Sequence, residues 1–224
     1  MTGVRDAFRT QSWRTRVHVA IREASAPLAQ LEAALPRSGA VLDWGCGHGV
    51  LALRLALASP DLRVEGTDID PAKVASAAAA ARAAGLSARA SFIVVDTEDV
   101  PSGTWDGIVV NDVLYLLRPE AQEALVRDAA ASLAPGGTLV CKEVGRTPRW
   151  KATLTRVQER ISVGVLRITA SGHGLHHFPD PQVVASWMDA AGLDVEVRPV
   201  GHRSHVPHVA VIGRRSESGP RGRG

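Results

Sequence analysis

The residues with chemistry to offer gather at three places. The segment Val41-Leu42-Asp43-Trp44-Gly45-Cys46-Gly47-His48-Gly49 carries three glycines at alternate positions after an apolar run. Only glycine lets a backbone approach a ligand this closely while taking positive φ. A dinucleotide loop needs G-x-G-x-x-G, and position 50 is Val50, so the glycines alone are a weak signal. The signal is strengthened by Asp43, two residues before the first glycine, and by Asp68, just past the next apolar run. A carboxylate there accepts both hydroxyls of a ribose. The second place is a histidine cluster: six of the eight histidines lie between His173 and His208, including Gly172-His173-Gly174-Leu175-His176-His177. An imidazole titrates near neutral pH and serves as a general base. No metal site is expected from His173, His176 and His177, since adjacent histidines point different ways and no cysteine or carboxylate partner is evident. The third is charge, with seven cations against Glu143 and Glu159 from Lys142 to Arg167, a local net of +5. It reads as a solvated helix face, or as a surface in which Arg146, Arg149, Lys151 and Arg156 attract an acidic acceptor or a carrier protein presenting it.

These residues need a frame to hold them. The first 38 residues read as helical, ending at Pro36 and Gly39. Apolar runs at Ala40–Asp43, Leu62–Thr67, Ala90–Val95, Trp105–Val110 and Leu139–Val144 read as strands. Between them fall helices at Gly49–Ala58, Pro71–Ala84 and Pro119–Leu133. Asp70 then Pro71 supplies a helix N-cap and first-turn proline, and Gly85 a C-terminal stop. Continuous apolar strands alternating with helices predict an α/β fold whose parallel sheet is covered on both faces. Residues 145–178 break that rhythm and are expected to cover the sheet's carboxyl edge. A helix at Asp180–Ala191 and strands at Asp194–Val200 and Val206–Ile212 follow, the last two forming an antiparallel hairpin.

Composition narrows the partners. The 224 residues suit one well-buried domain. The longest stretch free of charge, Ala129 to Cys141, has thirteen residues, short of the roughly 20 that a membrane span needs, and no signal peptide is expected. The tail from Arg214 carries +3, the whole formal charge, so the body is neutral and nucleic-acid binding is not expected. That tail, 214–224, reads as disordered. Two cysteines, Cys46 and Cys141, at the ends of buried strands fit a reducing, cytoplasmic setting.

Asp43-x-Gly45-x-Gly47-x-Gly49, Gly66-Thr67-Asp68-Ile69-Asp70, Val95-Asp96 and Leu133-Ala134-Pro135-Gly136-Gly137 together resemble the successive motifs of class I S-adenosylmethionine-dependent methyltransferases, over residues 38–144. The resemblance implies a Rossmann-like, seven-stranded, mostly parallel sheet with helices on both faces and an antiparallel last strand. It implies a helical cover at 1–38, a domain at 39–213 and a cover insertion at 145–178. It sets Gly45, Cys46 and Gly47 against the methionine part of S-adenosyl-L-methionine, with Asp43 holding the loop and the ammonium group. Asp68 would meet the ribose, Ile69 the adenine face, Asp96 and the backbone of Thr97 the adenine edge, and Asn111 the floor near the sulfonium. The alternatives are that Asp43 caps the following helix and that Asp96 is a solvated turn acid; Cys46 reads as a packing residue rather than a nucleophile. His176 or His177 suits a general base for a hydroxyl acceptor, with Trp13, Tyr115 and Arg149 as acceptor-binding candidates. The chain has Asn111-Asp112-Val113-Leu114 where amide and base N-methylating members carry Asn-Pro-Pro-Tyr/Phe, which counts against DNA adenine or protein glutamine as acceptors; a small-molecule hydroxyl or amine is expected. The rival readings are cofactor use without methylation, a noncatalytic scaffold, and an RNA methyltransferase.

Overall fold

The computed structural model describes residues 3–96, 99–144, 177–201 and 208–217. Its strands are β1 (Gly39–Trp44), β2 (Leu62–Asp68), β3 (Ala90–Val94), β4 (Trp105–Asn111), β5 (Leu133–Val144), β6 (Asp194–Val200) and β7 (His208–Arg214). They form one sheet in the order β3-β2-β1-β4-β5-β7-β6. β7 runs antiparallel to both its neighbours, and every other pairing is parallel. The chain leaves β1 toward β2 and returns to β4 on the other side. A crevice therefore opens beyond the carboxyl ends of β1 and β4, the place where such sheets bind ligands.

The apolar strand runs have their reason in the two cores. Val41, Val109, Val140 and Ile212 face one layer, while Leu42, Val110, Cys141 and Val211 face the other. All eight are essentially inaccessible to solvent, as expected of strands covered on both faces. The first layer holds α1 (Val4–Ala7), α2 (Trp13–Ser25), α3 (Leu28–Ala34), α4 (Val50–Ala58) and α5 (Pro71–Ala83). The second holds α6 (Pro119–Ala131) and α7 (Pro181–Ala190). The alanine-rich α5 buries Ala77, Ala80 and Ala81, small side chains that let its axis lie close to the sheet. It starts as the sequence predicts, with Asp70 Oδ1 accepting the N–H groups of Ala72 (2.9 Å) and Lys73 (3.2 Å). Asp180 and Pro181 repeat the device at α7.

Four expectations need adjusting. The 38-residue helical preamble is three helices, interrupted by Pro27 at the N-cap of α3. β5 begins at Leu133 rather than Leu139, because the Pro135-Gly136-Gly137 turn is absorbed as an irregularity between the Trp105–Leu133 and Gly107–Thr138 pairings. β7 runs to Arg214, two residues past the expected end. The start of the expected tail is structured among the described residues: Arg214 closes β7, and the Arg215 guanidinium donates to the carbonyls of Leu133 (3.0 Å) and Ala130 (2.9 Å) where α6 runs out of partners. Among the described residues no helix is long and apolar enough to cross a membrane, and no cluster of three or more metal-ligating side chains occurs.

Candidate functional site

The glycine loop joins β1 to α4 at the crevice. Its three glycines all have left-handed φ, +73° at Gly45, +55° at Gly47 and +72° at Gly49, but for different reasons. A Cβ on Gly45 would lie 2.6 Å from Val113, and one on Gly49 2.6 Å from Phe92 and 2.9 Å from Ala77, so those two are closed in from behind. A Cβ on Gly47 meets nothing within 4 Å, so this glycine faces the open crevice. The loop is laced to β2, with the Cys46 N–H donating to the Thr67 carbonyl (2.8 Å) and the Gly47 N–H to Asp68 Oδ2 (2.8 Å).

Asp68 Oδ1 accepts a second backbone bond, from the Asp70 N–H at 2.9 Å. An ionised carboxylate offers about four lone-pair positions, so roughly two remain, the number that the vicinal hydroxyls of a ribose require. Beside it Ile69 is 59% exposed, a large apolar side chain left uncovered at the rim. Asp96 is exposed just past β3, and Thr97 lies outside the described residues. Asn111, at the end of β4, is buried, and its Oδ1 has no hydrogen-bond partner among the described residues. An orphaned acceptor, an open glycine cradle and a half-used carboxylate at one crevice fit a nucleoside-bearing ligand such as S-adenosyl-L-methionine.

Asp43 lies beneath this cradle and is 2% exposed. Its Oδ2 accepts the Ala52 N–H (3.2 Å) in the first turn of α4, so the capping reading holds and the loop is held from below. Burial pushes its carboxyl up to about 7, against the opposing pull of the Arg22 guanidinium. The Cys46 thiol is also driven up by burial and by the acids Asp43 and Asp68. A thiol kept protonated in this way is a packing group rather than a nucleophile.

The structure also assembles polar residues that carry no motif. Arg22 of α2 donates from Nη1 to Asp112 Oδ2 (2.7 Å) and from Nη2 to the Asn111 carbonyl (3.3 Å). The Lys142 ammonium, 1% exposed, pairs with the other Asp112 oxygen. Burial works against the Asp112 carboxylate, but Arg22 and then Lys142 outweigh it and hold the carboxyl below its ordinary range. His18 of α2 and His48 of the loop lie 5.0 Å apart, and His48 Nδ1 reaches the Ser76 hydroxyl at 3.0 Å. Burial, and then the neighbouring His48, lowers His18 to about 4, so it is neutral at pH 7. On the opposite face of β5, Glu143 is 1% exposed, and neither carboxylate oxygen has a partner among the described residues. Burial, followed by the Asp112 charge, raises it to about 8. No pattern in the sequence singles out Arg22, one of 23 arginines, while Lys142 and Glu143, counted in the segment that reads as a solvated helix face, are instead buried in β5.

Of the acceptor-side candidates, Tyr115 and His177 come together. The His177 N–H donates to the Tyr115 carbonyl (3.0 Å), the His177 carbonyl accepts from Gln122 Nε2 (2.6 Å), and Phe178 stacks on the Tyr115 ring at 4.8 Å. Trp13 is 69% exposed at the start of α2, on the same outward stripe as Val17 and Ile21. His173, His176, Arg149 and Trp150 lie outside the described residues.

Comparison with known proteins agrees with this geometry. A family model described as a methyltransferase domain matches residues 13–197. The ubiquinone biosynthesis O-methyltransferase of Xanthomonas axonopodis pv. citri is 30% identical over 167 residues, covering 72% of this chain and 65% of that protein. Ribosomal RNA small subunit methyltransferase C of Shewanella halifaxensis is 34% identical over 102 residues, covering 44% of this chain and 29% of the relative. The chain thus spans less than two thirds of either relative's length. Among solved structures, the S-adenosylmethionine-dependent methyltransferase SibL superposes with a TM-score of 0.69 at 27% identity, over 90% of this chain and 57% of that one.

Proposed function

The chain belongs to the class I S-adenosylmethionine-dependent methyltransferases, and from that premise we propose that it transfers a methyl group to a hydroxyl or amine of a small-molecule acceptor by in-line displacement. The observation that carries the reading is the cradle at the carboxyl ends of β1 and β2. There Gly47 opens to the crevice, and the Asp68 carboxylate keeps two acceptor positions beside an uncovered Ile69.

S-adenosylmethionine, when bound, supplies a methyl group on a positively charged sulfur whose departure needs no acid. The protein's work is then alignment and exclusion of water. Gly45, Cys46 and Gly47 receive the methionine part, and Asp43 stands below for the ammonium group. Asp68 takes the ribose hydroxyls, Ile69 covers one adenine face, Asp96 and the Thr97 backbone meet its edge, and Asn111 forms the floor. Tyr115 and Trp13 serve as apolar walls for the acceptor. His177 or its neighbour His176 takes the proton that a hydroxyl loses as the new bond forms, and Arg149 favours an acidic or carrier-bound acceptor. A hydroxyl acceptor on a small molecule is supported by likeness to the ubiquinone biosynthesis O-methyltransferase over 72% of the chain, whereas likeness to the ribosomal RNA enzyme covers 44%. A reducing cytoplasm suits two free cysteines.

The test is calorimetric titration with S-adenosylmethionine, S-adenosylhomocysteine and NAD, then an acceptor screen with labelled methyl groups. Micromolar binding of the first two, no binding of NAD and label in a small molecule are expected. Binding of none, or preference for NAD, overturns the reading. With an acceptor in hand, His176→Ala or His177→Ala should lower turnover and alter its pH dependence. An unaltered profile in both removes the base assignment.

A further inference from the structure

The Arg22–Asp112–Lys142 cluster does more than tether a helix. Asp112 is the one non-glycine among the described residues with positive φ, at 59°, so the chain turns abruptly as it leaves Asn111. The turn is held from three sides. The Asp112 N–H donates to the Lys142 carbonyl (3.3 Å), one side-chain oxygen takes the buried Lys142 ammonium, and the other takes Arg22 Nη1 (2.7 Å). The guanidinium fork then spends its second arm on the carbonyl of Asn111 itself. Arg22 belongs to α2, in a different part of the chain and on the first layer over the sheet. Asn111 Oδ1 is the orphaned acceptor in the crevice. The position of α2 is thus transmitted through one planar side chain to the Asn111 carbonyl and to the carboxylate of the next residue, Asp112. On the same helix, one turn earlier, His18 reaches the glycine loop through His48.

We propose that Arg22 is a positioning residue of the cofactor site, acting through Asp112 and Asn111, so that docking of α2 and binding of S-adenosylmethionine are thermodynamically coupled. The inference rests on the function proposed above and adds to it a residue and a linkage. Coupling of this kind is reciprocal: a docked α2 tightens the cofactor site, and bound cofactor holds α2 down. Lysine cannot replace arginine here, because a single ammonium on a flexible stem does not span a carboxylate and a neighbouring carbonyl in one fixed plane.

The test uses the full chain with S-adenosylhomocysteine as the probe. Removing Arg22 leaves Asp112 paired with Lys142 and leaves Asp43, whose carboxyl burial already pushes up, more readily protonated, so Arg22→Met should still fold. Calorimetry should show its affinity for S-adenosylhomocysteine reduced by about tenfold or more, with only a partial return in Arg22→Lys. Hydrogen exchange across residues 13–25 should slow on adding S-adenosylhomocysteine to the wild type and remain unchanged in Arg22→Met. A merely structural Arg22 would lower the melting temperature and leave both readouts alone. Affinity of Arg22→Met within twofold of wild type, or full recovery in Arg22→Lys, overturns the inference while leaving the proposed function standing. Should Arg22→Met not fold, Arg22→Lys carries the same comparison. Failure of the wild type to bind S-adenosylhomocysteine overturns the proposed function, and the coupling with it.

Discussion

Replacing Asp68 with alanine is the sharpest probe of the cradle, because the structure states what the carboxylate already does and what it has left to give. Two backbone bonds, from Gly47 at 2.8 Å and Asp70 at 2.9 Å, use about half of its acceptor positions. The rest are available to the ribose. A hydrogen bond to a charged group contributes about 1.5–3 kcal/mol, so losing one such ligand contact weakens binding roughly 10- to 150-fold. Asp68→Ala also frees the Gly47 and Asp70 N–H groups, which perturbs the loop by itself. A double-mutant cycle separates the two effects. S-adenosylhomocysteine and its 2′-deoxy analogue are titrated calorimetrically into wild type and Asp68→Ala. In the wild type, removing the 2′-hydroxyl should cost about 10-fold or more if that hydroxyl donates to Asp68. In the variant the same removal should cost less than about threefold, since its partner is already gone. Equal losses in both proteins would show that Asp68 orders the loop without touching the ribose, and the assignment would fall.

Two further outcomes follow from the geometry. Gly47→Ala and Gly49→Ala should separate binding from stability. Both place a side chain at left-handed φ, a strain of roughly 1–2 kcal/mol, but only Gly49→Ala also drives a Cβ into Phe92 and Ala77, adding about 1–3 kcal/mol of overpacking. Denaturant titration should find Gly49→Ala the less stable, whereas calorimetry should find Gly47→Ala the weaker binder of S-adenosylhomocysteine; the reverse order would refute the picture of an open face at Gly47. Glu143 makes a prediction about pH. Its folded carboxyl titrates at about 8 against 4.5 when unfolded, so it costs nothing below 4.5, and stability drains away as pH rises through the folded value. Wild type should therefore lose on the order of a few kcal/mol relative to Glu143→Gln between pH 5 and 9, measured by urea unfolding. Parallel stability profiles for the two proteins would show that Glu143 is ionised and paired.

What the sequence determined by itself is whatever is local. Alternating glycines, an acid at a strand's end and an Asp-Pro helix start act over a few residues, through φ preferences and backbone hydrogen bonds. Gly45 to Gly49, Asp68 and Asp70 therefore stand where their spacing predicts. The continuous apolar runs likewise announced a sheet buried on both faces, as Val41 and Leu42 or Val140 and Cys141 bear out. The tertiary structure alone decided what depends on residues far apart in the chain. It sets Arg22 against Asp112 across 90 positions and His177 against Tyr115. It also buries both Lys142, paired with Asp112, and Glu143, which has no partner among the described residues. No pattern along the chain encodes those meetings, because a charge is buried or paired only once the fold has chosen which faces close over it. That choice made Asp43 a support beneath the loop with its carboxyl near 7, and it brought Arg22 of α2 against Asn111 and Asp112 at the end of β4.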